Sequence, residues 1–402
     1  MTKATTFAVP ALALFLIQFA AGAGATTRTV PGDFPTIQGA LNASAAGDTV
    51  VVSPGTYTEN INVPSGILLR SLTSVATTID GGFAAATVTL NGVTAVEIDG
   101  FQIVNGSSSG AGGGISATNS SAVIRECGVI GNSALTVGGG IGLDNSTLDV
   151  EQCEVSANYT LVGGGAGIAV MNGSDLTLNR SWVHYNSVST SFGSGGGIYL
   201  DAGTMATITY NLIIFNFADA VYGPGGGIYC GTSNALIDHN TIVDNGFFIF
   251  GLNPPPPHTF PSLPASGNPG LGTGIYFASS AAAASNNIIG TVAPGSLPSA
   301  GTAVDCSTGS SPFLSNNDVW NNDVNNPSPE YGAGCGDPTG TDGNISADPR
   351  FCDPLHNNYT LYNVSPCVGA GTGGSNIGAF AVGCGITPTA PRTWGAVKRI
   401  FQ

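Results

Sequence analysis

The chain has 402 residues, 60 of them glycine, and 9 basic residues stand against 24 acidic ones for a formal charge of −15. Lys and Arg this sparse and scattered exclude recognition of a phosphate backbone, which needs clustered positive charge, so no nucleic-acid partner is expected. Aliphatic and aromatic residues are too frequent and too regularly placed for disorder.

Residues 1–25 carry Lys3, an apolar run from Phe7 to Ala21 and the A-x-A sequence Ala23-Gly24-Ala25, the pattern of a secretory signal peptide. The run is shorter than the roughly 20 apolar residues that a bilayer crossing needs. Export sets an oxidising context in which the eight cysteines can pair, and five of them (Cys306, Cys335, Cys352, Cys367 and Cys384) fall after residue 300. No C-x-x-C occurs, which leaves zinc and redox motifs without support. Residues 26–60 predict an N-terminal cap in which Ile37, Ala40 and Leu41 share one face of a short helix.

Residues 61–300 repeat. Isoleucine after glycine, a triple glycine at four of the six positions, recurs at Ile115, Ile141, Ile168, Ile198, Ile228 and Ile275, in steps of 26, 27, 30, 30 and 47. A second column keeps step: Asn132, Asn158, Asn186, Asn216 and Asn245, each three residues after a Val or Ile. Fixed-period self-similarity of this length signals a solenoid or a propeller. Each unit holds three short apolar runs with internal alternation and no helical period, too little for the four strands of a propeller blade. The expected fold is therefore all-β, a single-stranded parallel β-helix of three sheets around one apolar core, with the N-terminal helix closing its open end. In the unit around Ile228, Ile228 and Cys230 should point inward with Tyr229 outward, followed inward by Leu236 or Ile237 and then Ile242. A third column, Cys127, Cys153, Ser181, Asn211, Asn240 and Asn287, sits at a turn where inward polar side chains can hydrogen-bond their copies in a ladder. Cys127 and Cys153, one coil apart, fit either a disulfide or two stacked thiols. Residues 301–384 read as irregular last coils and a cysteine-rich cap. Residues 385–402 read as a Pro/Thr linker and a short basic amphipathic tail, either a sorting or attachment signal or a docking strand.

These columns and ladders resemble the right-handed parallel β-helix superfamily of pectate lyases, polygalacturonases and pectin methylesterases. The segment "FPTIQGALNASAAGDTVVVSPGTYTENI" is similar to the entry segment of pectin methylesterase-like proteins, and the GGGI and V/I-x-x-N columns are similar to the repeats of bacterial polymorphic outer membrane proteins, which are surface adhesins. The resemblance implies that the GGGI sheet bears the ligand cleft and that the loops leading into it vary. Here they lengthen along the chain, ending in residues 245–274, "NGFFIFGLNPPPPHTFPSLPASGNPGLGTG".

Tyr199, Tyr229 and Tyr276 each follow a GGGI-type isoleucine and should project outward in one stack, about 10 Å long at 4.8 Å per coil and near the size of two sugar rings. With Phe248 and Phe250 of the long loop they are the candidate ligand-binding residues, since aromatic rings suit carbohydrate C–H surfaces. Tyrosine also favours strands and shields neighbouring glycines, which gives the same residues a purely structural reading. The catalytic sets that the resemblance implies are mostly missing. Where pectin methylesterases carry an acid in D-F-I-F-G, this chain has phenylalanine in Phe247-Phe248-Ile249-Phe250-Gly251. Between the first and last GGGI-type isoleucines the only basic residues are Arg125 and Arg180, placed away from the cleft that a lyase would use. Asp144 and Asp201, two coils apart, are the candidates for a carboxyl pair at the roughly 6.5 to 9.5 Å of an inverting hydrolase. No metal site is expected: "GGIGLDNST" (139–147) matches a calcium nonapeptide once, with Ser146 where an apolar residue belongs, and only loose Ca2+ binding by surface Asp is open. His184, His239, His258 and His356 share no metal or triad spacing and read as surface or turn residues.

Three functions compete: a secreted or cell-surface protein that binds polysaccharide or surface glycan without catalysis, a divergent polysaccharide lyase or glycoside hydrolase, and a structural or adhesive surface protein.

Overall fold

A computed structural model describes residues 24–189, 193–218, 224–246, 273–291, 301–321 and 330–384. The signal-like leader, most of the 245–274 loop with Phe248, Phe250 and His258, and the C-terminal tail lie outside these residues.

The chain winds as a parallel coil. Successive strands of three kinds stack into sheets of eleven, ten and nine strands, here called first, second and third in chain order around a coil. The third sheet holds the glycine-led isoleucines. Ile115, Ile141, Ile168, Ile198, Ile228 and Ile275 pair directly with one another in that order, and Val304 continues the column. All seven are fully buried. The step of 47 therefore changes nothing in the register of the strands on either side of it. Ile228, Cys230, Ile237 and Ile242 face inward, and Leu236 is 37% exposed, so Ile237 fills the inward place in its strand.

Each corner of the coil has its own device. Between the first and second sheets, Glu126, Gln152, Arg180, Tyr210, His239, Asn286 and Asn316 adopt left-handed backbone with φ between 47 and 58°. That conformation costs a non-glycine residue about 1–2 kcal/mol. The next residue offsets the cost. From Asn211 upward, each asparagine donates Nδ2 to the Oδ1 of its copy one winding on: Asn211 to Asn240, Asn240 to Asn287 and Asn287 to Asn317 at 3.0 Å, and Asn317 to Asn344 at 3.1 Å. The ladder expected through Asn287 thus runs two residues further. Cys127 and Cys153 start this column as thiols rather than a disulfide, with their sulfurs 3.7 and 3.4 Å from the Ile98 and Ile124 carbonyl oxygens.

The Asn132 column is a second ladder, at the corner after the second sheet. Asn132, Asn158, Asn186 and Asn216 each donate Nδ2 to the next Oδ1 at 2.9–3.1 Å. At the third corner Ser120, Ser146 and Ser174 serve, each hydroxyl oxygen accepting a backbone N–H from the winding below. A short four-stranded sheet of two-residue strands, among them Ser107–Ser108 and Ser133–Ala134, follows the second ladder. The glycines then take the chain into the third sheet. Gly195 has φ +64°, and a Cβ on Gly196 would lie 2.5 Å from the Phe217 backbone, so neither position admits a side chain.

At the N-terminal end, a helix over Ile37–Asn42 buries Ile37, Ala40 and Leu41. Glu59, the acid of GTYTE, caps it by accepting the Ile37 and Gln38 backbone N–H groups at 2.8 and 2.9 Å. At the other end a disulfide joins Cys306 to Cys335, and a second joins Cys352 to Cys384. Residues 346–384 lie along the outer face of the second sheet. There Trp182, Leu212, Ile214, Val243 and Ile288 form a second apolar cluster with Phe351, Tyr359, Leu361, Ile377 and Phe380. His184, read as a surface or turn residue, is buried in this sheet beside Trp182, because the segment laid over it shields that face.

Within the second ladder, Asn186 donates to the Val155 carbonyl and to Asn216, and accepts from the backbone and side chain of Asn158. Asn186→Ala strips partners from several buried groups at once and should lower unfolding stability by roughly 3 kcal/mol or more. Ser74→Ala, which removes only an exposed contact to Glu126, should stay within about 0.5 kcal/mol of the parent in the same denaturant titration.

Candidate functional site

The outward column of the third sheet carries the feature that distinguishes this coil from a plain scaffold. Its residues in register are Thr89, Ser116, Gly142, Ala169, Tyr199, Tyr229, Tyr276 and Asp305. Small residues line the lower windings and three tyrosines the upper ones. Tyr199 and Tyr229 stack with centroids 5.1 Å apart and planes 9° apart, and Tyr229 and Tyr276 follow at 5.7 Å and 14°. The sequence places these rings together, but their orientation differs from a flat platform. In parallel strands each ring rests on the ring below, so the faces turn largely toward one another, and the row offers ring edges and hydroxyls to a ligand.

The three phenols are held neutral. Half-burial raises all three above the ordinary tyrosine range, reinforced at Tyr199 by Asp201, at Tyr229 by Tyr276 and Asp201, and at Tyr276 by Asp305. The Tyr199 hydroxyl donates to Asp201 Oδ1 at 3.3 Å. Among the described residues the Tyr229 hydroxyl has no hydrogen-bond partner, which leaves a donor and an acceptor at the middle of the row.

Asp144 and Asp201 share the adjacent column with Met171 between them, roughly 10 Å apart at two strand spacings. Asp144 accepts from Asn172 Nδ2 at 2.6 Å, and Asp201 serves Tyr199. Arg125 lies on the first sheet between Glu97 and Glu151, 3.9 and 3.7 Å away. Among the described residues no group of three or more His, Cys, Asp or Glu is placed to hold a metal ion.

The sequence matches the family described as right handed beta helix region over residues 87–346, well over half of the chain. The chain belongs to the right handed beta helix family. No curated protein matches it. Solved structures similar to it include pectate lyase Pel9A (12% identity, TM-score 0.45, 91% of this chain and 98% of that one). The A-module of mannuronan C-5 epimerase AlgE6 from Azotobacter vinelandii (13%, 0.38, 78% and 94%) and the pectin methylesterase of Aspergillus niger (13%, 0.35, 84% and 94%) are also similar. Identities this low carry no residue roles over to this β-helix.

The most displaced carboxyl among the described residues lies elsewhere, and sequence reading missed it. Asp318 ends on the outer face of the second sheet, fully covered by the C-terminal segment. Its Oδ1 accepts the Ala347 N–H and its Oδ2 the Cys367 thiol, both at 3.0 Å. Burial pushes its pKa up to about 6, with Glu330 and Asp348 adding to the rise and the two hydrogen bonds opposing it. The Cys367 thiol is pushed up in turn by burial and by Asp318. Only its place directly after the ladder asparagine Asn317 marks Asp318 in the sequence, and its partners lie 29 and 49 residues away.

A carboxyl with a folded-state pKa above its unfolded value of 3.8 binds more proton in the native state between those values. Its stabilising contribution is complete below pH 3.8 and is lost as pH rises through about 6. Between pH 4 and pH 7 the parent should lose on the order of 2 kcal/mol relative to Asp318→Asn, which keeps the acceptor for Ala347 but does not ionise. Parallel melting curves of the two proteins at both pH values check this, and identical pH slopes would refute it.

Proposed function

We propose that this β-helix is an exported or cell-surface protein that binds carbohydrate, without cleaving it, along the Tyr199–Tyr229–Tyr276 row. The observation that carries the reading is three neutral phenols in register at 5.1 and 5.7 Å, with the central hydroxyl unengaged among the described residues. Two such steps match the length of about two sugar rings laid along the solenoid axis, so consecutive sugars meet consecutive hydroxyls. The exposed hydroxyls supply hydrogen bonds to sugar hydroxyls, and Asp201 gives the row a fixed acceptor.

Charge narrows the ligand class. The column holds Asp305 and borders Asp144 and Asp201, and it contains no Lys or Arg. On a chain of formal charge −15 this favours neutral polysaccharide over polyuronate. Two disulfides support an oxidising, extracytoplasmic setting.

Tyr199→Ala combined with Tyr229→Ala should lower affinity for a neutral polysaccharide roughly tenfold, at about 0.5–1.5 kcal/mol per hydrogen bond lost, with the far-ultraviolet circular dichroism unchanged. Affinity electrophoresis across neutral and acidic polysaccharides measures it. Unchanged affinity would remove the row as a site, and release of new reducing ends or unsaturated products by the parent would reassign the protein as a hydrolase or lyase.

A further inference from the structure

A cleft on the outer face of the second sheet is built by the C-terminal segment. It is an open groove of about 430 Å³ between the last winding of the second sheet and an antiparallel hairpin. Trp320 comes from the strand Asp318–Asn321, and the hairpin pairs Phe351–Asp353 with Asn358–Leu361. Trp320, Phe351, Pro354, Tyr362 and Val364 make its apolar walls, and Asp348 and Arg350 supply its charges.

The cleft is fixed by its own bonds. The Cys352–Cys384 disulfide ties the hairpin, and Phe351 packs edge to face on the buried Tyr359 with centroids 5.2 Å apart. Arg350 adopts φ 51°, its N–H donates to Asp348 Oδ1 at 2.8 Å, and its carbonyl accepts the Tyr362 N–H at 3.0 Å. Nη1 of its guanidinium donates to the Val364 carbonyl at 3.3 Å. One nitrogen is thus anchored and the remaining donors stay available. Arg28, Arg70 and Arg125 are in ion pairs, whereas Arg350, like Arg180, makes none among the described residues. Tyr362 and Val364 are 45% and 63% exposed, an apolar surface that solvent alone does not favour.

We infer that this cleft is a binding site for a single neutral hexose unit. Aromatic and aliphatic walls match the C–H face of a pyranose ring. A carboxylate acceptor two residues from a guanidinium donor suits two adjacent hydroxyls, one donating to Asp348 and the other accepting from Arg350. The two charges cancel, which selects a neutral sugar over a uronate, and the volume admits one pyranose ring with its substituents. This inference does not rest on the tyrosine row, which lies on another sheet.

Trp320 lets the cleft be read directly. Titrating the full chain with the methyl glycosides of glucose, galactose, mannose and N-acetylglucosamine into the millimolar range should produce a saturable change in tryptophan emission with at least one of them. Tyr362→Ala and Arg350→Gln should each weaken that binding about tenfold, equivalent to one good contact. Trp320→Phe should abolish the signal, and the Tyr199→Ala, Tyr229→Ala double variant should leave it unchanged. The inference is overturned by the absence of a saturable change with all four glycosides. It is equally overturned if Tyr362→Ala and Arg350→Gln bind as the parent does, or if the double tyrosine variant removes the signal.

Discussion

Each winding of this solenoid hydrogen-bonds through its backbone to the windings below and above, so the register of a residue decides its place in space. A single slip would turn every inward side chain outward. The corners prevent it. An asparagine whose Oδ1 must meet one backbone N–H and one Nδ2 tolerates no other alignment, and two ladders plus a serine corner fix all three sides of the coil. The strain of the left-handed residues before each ladder position is held in place by these bonds.

Much of this is legible in the sequence because a solenoid maps period onto position. The glycine-led isoleucines mark one sheet, and the residue after each marks its outer face, so the period alone puts Tyr199, Tyr229 and Tyr276 in one row. It does not give their mutual orientation, which depends on how the rings pack over one another and over Gly164 and Gly165. The Asn132 column is visible as a pattern, but nothing local distinguishes a ladder asparagine from a turn asparagine.

The C-terminal segment is less legible. Its bonds to the coil span long separations: Thr372 to Asn286, 86 residues away, and Ala379 to Thr241, 138 away. A local signal does exist. The outward positions of the second sheet change from Gln102 and Glu154 to Trp182, Leu212, Ile214 and Val243, so the strands lose their alternation where a second layer covers them. Asp318 and the Trp320 cleft owe their environment to that layer and not to the repeat.

The in-register pairing of Ile228 with Ile275 has a practical side. Forty-seven residues pass where 26 suffice elsewhere, yet the windings on either side stack without offset. The corner between the second ladder and the third sheet therefore accepts added sequence with no shift in the register of the windings on either side. New segments grafted there would be displayed beside the tyrosine row on a support that does not have to be redesigned to hold them.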